Sequence, residues 1–334
     1  MERRQRRSRK CGSQQVPIVI ALILLTGTTA VYFGFVCPYL VEEYHFAIAI
    51  VNGVLTLTVH LMFARATFTD PGVYPRAPES EDEENDLRQP LYRNIEIKGI
   101  TVKMKWCETC RFYRPPRCSH CSVCNNCVEV FDHHCPWVDN CIGKKNYRYF
   151  FFFVTSLSLH ILTVIAFTIL FVVKKKGEGE GMVQILPAII ILAIAGLASF
   201  PVLGLSIFHI GLVALGRTTN EQVTGKFGSG HNPFDLGCYQ NCCTALFGPL
   251  PPRYLGYKMP KRKKKKKGSP YGGDEETVHN GEPLHTQHIR IEMEPIAAGG
   301  DSISDTKFIN IVLAQSQPPL HYSLSFTIHH HQPH

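Results

Sequence analysis

Four long apolar stretches constrain this chain more than any other feature of its sequence. They cover residues 17–37, 46–64, 149–173 and 182–215. A helix that crosses a bilayer needs roughly 20 apolar residues, and each of the first three stretches meets that length. The fourth is too long for one straight span and too short for two. We therefore predict four transmembrane helices, the fourth of which is tilted or kinked at Pro201.

The basic residues beside these stretches predict the orientation of the chain. The first ten residues contain five arginines and Lys10, and the first apolar stretch follows directly. Segments rich in Lys and Arg stay on the cytosolic side of a membrane. We therefore expect the N-terminus, and after four spans also the C-terminus, in the cytosol. We expect no cleaved signal peptide, because the first stretch can span a bilayer and lacks a clear small-residue cleavage site.

The predicted fold class is an all-α polytopic membrane protein with a cytosolic, zinc-binding, cysteine-rich domain between helices 2 and 3. Acidic residues at 79–86 predict a solvated loop, and near-alternation of apolar residues at 91–104 predicts a short strand or hairpin. The predicted divisions are a basic cytosolic N-terminus (1–16), helices 1 and 2 (17–66), a cytosolic loop (67–148) with the cysteine-rich domain at 104–148, helices 3 and 4 (149–215), a membrane-proximal tail (216–257) and a disordered tail (258–334).

Cysteines are crowded into one part of the predicted cytosolic loop. Eight of the 13 cysteines lie between Cys107 and Cys141. Because the cytosol keeps thiols reduced, this crowding favours zinc over disulfides. Zinc takes four thiolate or imidazole ligands, so eight candidate ligands fill two sites: Cys107, Cys110, His120, Cys121, Cys124, Cys127, His134 and Cys141. The loop has few aliphatic residues, so we expect zinc to supply much of its folding free energy.

A second pattern, Asp132-His133-His134-Cys135, follows within the same loop. A cysteine becomes a nucleophile when an imidazole takes its proton, and a carboxylate can orient that imidazole. The adjacent histidines must project in different directions, so one can face Cys135 while the other binds zinc. Spacing alone does not decide which. The alternative interpretation is that all four residues are metal ligands or polar loop residues.

Longer motifs connect this pattern to a known family. The run from Cys118 to Phe150 reads CSHCSVCNNCVEVFDHHCPWVDNCIGKKNYRYF. It resembles the cysteine-rich domain of the DHHC family of protein S-acyltransferases. Three further motifs resemble elements of that family in the same order, namely DPG at 70–72, TTNE at 218–221 and NPF at 232–234. The resemblance covers roughly residues 15–257, and RFYRPPR at 111–117 is most like the subgroup typified by the human type 5 and type 8 enzymes.

The resemblance implies a role for each residue of the cysteine-rich domain. It makes Cys135 the acylated nucleophile, His133 its base and Asp132 the partner of that base. It implies two structural zinc ions, one bound by Cys107, Cys110, His120 and Cys127, the other by Cys121, Cys124, His134 and Cys141. Cys118 stands at a position that is not a ligand, so its role is left open.

The activity implied is protein-cysteine S-palmitoylation, in which a long acyl group passes from acyl-coenzyme A (palmitoyl-CoA) through Cys135 to cysteines of substrate proteins. By analogy, Phe150 and Phe153 lie near the entrance of an acyl cavity, although some of the aromatic residues there must simply face lipid. We assign the acyl-coenzyme A contacts to Phe150, Phe153, Trp137, Lys144, Lys145 and Arg148. The alternative for each cation is the ordinary basic bias of a cytosolic loop. The rival function is a catalytically inactive, membrane-anchored zinc module that recruits partners.

The expected partners are palmitoyl-CoA, the lipid bilayer and membrane-associated substrate proteins with cytosolic cysteines, and we expect no nucleic acid. The expected location is the plasma membrane or the Golgi and endomembranes. Asn52, His60 and His160 lie within predicted spans, where polar residues are functional candidates. We interpret them as interhelical hydrogen-bonding groups, with the further hypothesis that His160 influences the choice of acyl-chain length.

Overall fold

The computed structural model describes residues 15–77, 89–179, 181–227 and 232–250, together with the backbone of two short segments at 307–312 and 323–328. Most of the predicted basic N-terminus and the acidic run at 79–86 lie outside the described residues. The same holds for most of the tail that we predict to be disordered. Within that tail, β8 (Lys307–Val312) and β9 (Ser323–Ile328) pair antiparallel, a hairpin that the prediction of disorder did not anticipate. Both strands are rich in β-branched and aromatic residues, which favour extended backbone.

Among the described residues, four helical segments are long and apolar enough to cross a membrane, as predicted. They are Val16–Glu43, Ala47–Phe68, Tyr147–Gly177 and Met182–Ala214. The third starts two residues before the predicted apolar stretch and continues through three lysines to Gly177. The fourth is one continuous helix that contains both Pro187 and Pro201.

The first span changes its winding part of the way along. It consists of α1 (Val16–Val31), a π-helical turn (Tyr32–Val36) and α2 (Cys37–Glu43). Pro38 has no backbone N–H to donate within the helix, and such positions are common sites of local rewinding. The N–H of Cys37 donates to the carbonyl of Tyr32, five residues back, which is the π-helical pattern.

The third span forms the centre of the bundle. We number the remaining membrane helices α3 (Ala47–Phe68), α4 (Tyr147–Gly177) and α5 (Met182–Ala214). Thirty-nine per cent of the most apolar window of α4 is buried, against 17% in both α3 and α5. Large apolar side chains such as Leu197 and Phe200 are exposed, at 82% and 87%. This outward apolar surface is what a bundle presents to lipid.

Short hairpins build the cysteine-rich domain. The predicted strand or hairpin at 91–104 is present as β1 (Tyr92–Ile97) and β2 (Ile100–Cys107). Lys98 and Gly99 both have positive φ angles, of 50° and 75°, as a tight hairpin turn requires. The end of β2 pairs with β3 (Phe112–Tyr113). Two further hairpins join β4 (Ser119–Cys121) to β5 (Asn126–Val128), and β6 (His133–Cys135) to β7 (Asn140–Ile142).

The Asp70-Pro71-Gly72 motif joins α3 to the cysteine-rich domain. The carboxylate of Asp70 accepts hydrogen bonds from the N–H groups of Gly72 and Val73, at 2.9 and 3.1 Å. A Cβ atom on Gly143 would lie 2.6 Å from the carbonyl oxygen of Pro71 and 2.6 Å from Cγ1 of Val128. Only glycine lets these two backbone segments approach so closely.

The described part of the membrane-proximal tail folds back onto the end of the fourth span. It contains α6 (Thr219–Val223) and α7 (Cys238–Leu246). A capping box between Thr218 and Glu221 starts α6. Gly216 has a φ angle of +61°, and this turn of the chain lets the amide of Asn232 reach its carbonyl at 3.2 Å.

Candidate active site and metal centres

The first metal-binding cluster consists of Cys107, Cys110, His120 and Cys127, whose ligand atoms all lie within 4.8 Å of one another. The Nδ1 atom of His120 is 3.5 Å from the sulfurs of Cys107 and Cys110 and 3.7 Å from that of Cys127. Ligands about 2.0–2.3 Å from a tetrahedral zinc ion lie roughly 3.5–3.8 Å apart. The spacing of these atoms therefore fits zinc.

The second cluster consists of Cys121, Cys124, His134 and Cys141. The Nδ1 atom of His134 lies 3.4 Å from the sulfur of Cys124 and 3.7 Å from that of Cys141. Three thiolates and one imidazole again form a closed donor set of the structural zinc type, with no position left for substrate. The two sets are those that the family resemblance implied.

Strand geometry separates the two clusters. Successive side chains of a β-strand point to opposite faces. In β4, the neighbours His120 and Cys121 therefore belong to different metal sites. Cys118, a buried cysteine that belongs to neither set, packs with the first cluster beside Cys127.

The same alternation in β6 decides between the two adjacent histidines. His134 faces the second metal cluster, whereas His133 contacts Asp132. The Nδ1 atom of His133 lies 2.6 Å from Oδ2 of Asp132. Because residues two apart share a face of a strand, Cys135 lies on the same face as His133. The three residues that we predicted to act together are therefore adjacent.

Thr219, in the first turn of α6, holds the carboxylate of Asp132. Its backbone N–H donates to Oδ1 at 2.8 Å, and its hydroxyl donates to Oδ2 at 2.7 Å. Asp132 is only 1% exposed, so these bonds replace the water that the carboxylate loses. The TTNE motif therefore contributes directly to the site.

Burial and hydrogen bonding shift the pKa values of Asp132 and His133 in opposite directions. Burial raises the pKa of Asp132, but the hydrogen bond and charge of His133, with the N–H of Thr219, outweigh it and lower the pKa below its usual value. Burial lowers the pKa of His133, but its bonds to Asp132 and Cys135 outweigh burial and raise the pKa to about 9. An ionised Asp132 thus makes His133 a stronger base toward the thiol of Cys135.

His209, in the fourth span, is a site residue that sequence reasoning missed. It is 1% exposed, and the centroids of its ring and that of His133 are 6.0 Å apart. Its Nδ1 atom lies 3.1 Å from the hydroxyl of Tyr147. A signal was present, because a histidine inside an apolar stretch is a functional candidate. We applied that rule to Asn52, His60 and His160 only.

Two of the three predicted aromatic contacts pack in one cluster with Cys135. Phe150 and Phe153 belong to the same buried apolar cluster as Cys135, together with Val59 and Phe63 of the second span. The ring of Phe150 lies edge-on to that of His133 with centroids 5.1 Å apart. Trp137, two residues after Cys135, is 53% exposed.

The three cations that we assigned to acyl-coenzyme A contact other parts of the protein. Lys145 is buried, and its ammonium group lies 3.4 Å from Oδ2 of Asp70. Arg148 donates to the backbone carbonyl of Gly248. Lys144 lines a cavity whose lining does not include Cys135. The contact of these three cations with acyl-coenzyme A therefore stays a prediction.

The intramembrane polar residues divide into two kinds. Asn52 and His60 bond to backbone carbonyls of their own helix, at 2.9 and 2.8 Å. His160 instead links two spans, since its Nε2 atom lies 3.1 Å from the hydroxyl of Thr29. The predicted interhelical hydrogen bond is therefore present for His160.

Comparison with known proteins agrees with this geometry. Residues 100–226 match the family described as DHHC palmitoyltransferase. Palmitoyltransferase ZDHHC8 of Mus musculus is 54% identical over 243 residues, which are 73% of this chain and 32% of that protein. Palmitoyltransferase ZDHHC5-A of Danio rerio is 54% identical over 246 residues, 74% of this chain and 33% of that protein. Palmitoyltransferase ZDHHC5 of Rattus norvegicus is 54% identical over 252 residues, 75% of this chain and 35% of that protein.

These matches confirm the resemblance found in the motifs. The chain carries a DHHC palmitoyltransferase domain. It is similar in particular to the ZDHHC8 and ZDHHC5 palmitoyltransferases over most of its own length. It spans about a third of the length of these curated relatives.

Proposed function

We propose that this chain is a protein-cysteine S-palmitoyltransferase, which carries a long acyl group from acyl-coenzyme A on Cys135 and passes it to cysteines of other proteins. The observation that carries the proposal is the contact of His133 with the buried carboxylate of Asp132, on the strand face that also presents Cys135. The relatives ZDHHC8 and ZDHHC5 are named palmitoyltransferases, which supports the same activity.

In the first step, Nε2 of His133 accepts the proton of the Cys135 thiol, and Asp132 stabilises the imidazolium that forms. The Cys135 thiolate attacks the carbonyl carbon of the acyl-coenzyme A thioester. A new thioester forms on Cys135 while the bond to the coenzyme A sulfur breaks. The departing thiolate takes the proton back from His133, so charge and protons balance.

The second step reverses the roles of the two thiols. A substrate cysteine gives its proton to His133 and attacks the acyl group on Cys135. The Cys135 thiolate leaves and regains the proton. Because each step exchanges one thioester for another, little bond energy changes, and the protein contributes by supplying a thiolate and by positioning the reactants.

Apolar side chains around Cys135 suit the acyl chain. Cys135 shares a buried cluster with Phe63, Phe150 and Phe153. Each buried CH₂ group is worth about 0.8 kcal/mol, so a sixteen-carbon chain gains a large binding free energy from such surroundings. We assign Phe150 and Phe153 to the acyl chain, and Trp137 to the exposed approach to the sulfur.

We further propose that the hydrogen-bonded pair Thr29–His160 lies at the far end of the acyl cavity and limits the length of the chain. A longer chain would have to separate two polar groups that have no water to replace their bond. His160→Leu should therefore shift the preference toward longer chains in a competition between fourteen-, sixteen- and eighteen-carbon acyl-coenzyme A. An unchanged preference would count against the idea.

Bound zinc supplies cross-links that hold the hairpins in place. Neither ligand set includes Cys135, so the metal ions do not contact the reacting sulfur. The chain's own contribution is β6, which carries His134 on the metal-binding face and His133 with Cys135 on the other. We therefore assign both zinc ions a structural role.

The remaining assignments follow from this function. The substrates are membrane-associated proteins with cytosolic cysteines, so the cysteine-rich domain and both termini lie in the cytosol. The location is the plasma membrane or the Golgi and endomembranes. The rival reading, an inactive membrane-anchored zinc module, predicts that Cys135 is dispensable.

The deciding experiment compares wild type with Cys135→Ser in membranes supplied with an alkyne-tagged sixteen-carbon acyl-coenzyme A. Hydroxylamine-sensitive label on the chain and zinc content are measured together. We expect the Cys135→Ser variant to lose the label while it retains two zinc ions. Cys242→Ser, a change in the tail helix α7, is the matched control and should keep the label on Cys135. If Cys135→Ser is labelled at the wild-type level, the proposed enzyme activity is refuted and the inactive, membrane-anchored zinc module is the remaining interpretation.

A further inference from the structure

A cavity separate from Cys135 lies where the cysteine-rich domain meets the ends of α4 and α5 and the tail. Its volume is about 100 Å³. A void that holds one water molecule needs only about 10–15 Å³, so this cavity accommodates a larger group. The lining combines apolar side chains with polar ones, which include Arg117, Lys144, Tyr147, Arg217 and Thr244.

The cavity is distinct from the catalytic site. Its lining includes neither His133 nor Cys135. Tyr147 lines the cavity, while its hydroxyl lies 3.1 Å from Nδ1 of His209. His209 in turn packs against His133. A ligand in the cavity would therefore contact Tyr147, whereas His133 contacts His209, the hydrogen-bond partner of Tyr147.

Lys144 supplies a positive charge that lacks a close partner. No hydrogen bond or ion pair of its ammonium group is found within the part of the chain that the structure describes. Burial lowers the pKa of Lys144, attraction to Glu129 offsets this in part, and Arg117 and Arg148 lower it further. Lys144 is half-buried, and a cation without a partner at the wall of a cavity favours an anion there.

The other cations of the lining differ in how far they are neutralised. Arg117 donates two bonds to the carboxylate of Glu221, at 2.8 and 2.7 Å, so its charge is balanced. Among the described residues, the side chain of Arg217 bonds only to the neutral amide of Gln222, at 3.1 Å. Thr244, on α7, adds a hydroxyl donor to the lining. The balance of charge at the cavity is therefore positive.

We propose that this cavity binds a phosphate group, which pairs with Lys144 and accepts a hydrogen bond from Thr244. Phosphate oxygens are strong acceptors that suit an ammonium group and a hydroxyl together. Two sources carry this chemistry, the phosphodiester of an anionic phospholipid and the phosphates of coenzyme A. The position beside the ends of two membrane helices brings lipid headgroups within reach of the cavity.

The test uses the full chain, purified in a nonionic detergent and a phosphate-free buffer. Thermal unfolding is followed while inorganic phosphate, coenzyme A or dioctanoyl phosphatidylglycerol is titrated in. We expect saturable stabilisation of wild type and at least a tenfold higher Kd for Lys144→Met. Methionine keeps the unbranched stem and removes the charge, so this variant should fold without ligand at least as well as wild type. Lys105→Met, which alters an exposed lysine of β2, should bind as wild type does.

The three ligands separate the sources. Saturation by phosphatidylglycerol alone assigns the cavity to a lipid headgroup, and saturation by coenzyme A alone assigns it to the donor substrate. A response to inorganic phosphate that is lost in Lys144→Met supports a site for free phosphate. Thr244→Val should raise the Kd several-fold, because it removes one donor at constant shape. No saturable response of wild type, or equal binding by wild type and Lys144→Met, would overturn the proposal.

Discussion

The hydroxyl of Thr219 provides a way to weaken the hold on Asp132 without disturbing the strands of the cysteine-rich domain. It donates to Oδ2 of Asp132 at 2.7 Å, while the backbone N–H of the same residue donates separately to Oδ1. Thr219→Val removes the first bond, keeps the second and preserves the shape of the side chain. A hydrogen bond to a charged group contributes about 1.5–3 kcal/mol.

Loss of this bond slows the reaction if Asp132 stabilises the imidazolium of His133 in the transition state. Each 1.36 kcal/mol is a factor of ten, so we expect self-acylation of Cys135 to slow by about ten- to a hundredfold. The assay is the initial rate of hydroxylamine-sensitive labelling by purified chain at saturating palmitoyl-coenzyme A. Zinc content should stay at the wild-type value, because Thr219 belongs to neither set of cysteine and histidine ligands.

The matched control is Thr224→Val, at the other end of α6. The hydroxyl of Thr224 is exposed and, within the described ranges, bonds only to the carbonyl of Asn220, so this variant should label at the wild-type rate. A rate for Thr219→Val within twofold of wild type, with intact zinc, would refute the view that this bond supports catalysis.

Three further changes test other parts of the structure. Gly143→Ala should destabilise the junction by about 1–3 kcal/mol, because its Cβ would meet backbone at 2.6 Å, and thermal unfolding should detect this. The control is Gly53→Ala within α3, which has nothing within 4 Å and should not lower the unfolding midpoint. Cys127→Ser should lose one zinc ion and make the cysteine-rich domain sensitive to protease, because Cys127 is a metal ligand. The control Cys118→Ser should keep both zinc ions. Equal zinc content in the two variants would contradict the ligand assignment. His209→Leu removes one hydrogen bond, which is worth about 1 kcal/mol, and should slow self-acylation roughly fivefold at unchanged zinc content. A wild-type rate would show that His209 is not a positioning residue.

The membrane helices could be predicted because their signal is local. Spanning a bilayer requires only a sufficient run of apolar residues, and each run can be counted along the chain. The strand or hairpin at 91–104 was also visible, because alternation is a property of neighbouring residues. Helix ends were less exact, since α4 continues through the lysines to Gly177, where hydropathy no longer marks the helix.

The zinc ligands could be identified by spacing, but their division into two sites could not. His120 and Cys121 are neighbours in sequence and belong to different clusters. His133 and His134 have the same chemistry and adjacent positions, yet one contacts Asp132 and the other faces a metal site. The family resemblance implied this division, and the alternation of β4 and β6 explains it.

Only the tertiary structure placed the residues that support the site from a distance. Thr219 bonds to Asp132 across 87 positions, and Arg117 to Glu221 across 104. His209 reaches His133 from the fourth span, and Lys144 faces a cavity away from Cys135. The sequence by itself determined the spans and the candidate metal ligands, because those follow from residue type and short spacing, whereas Cys135 was assigned as the nucleophile by the family resemblance. Which distant groups meet depends on how the helices pack, and no short-range pattern encodes that packing.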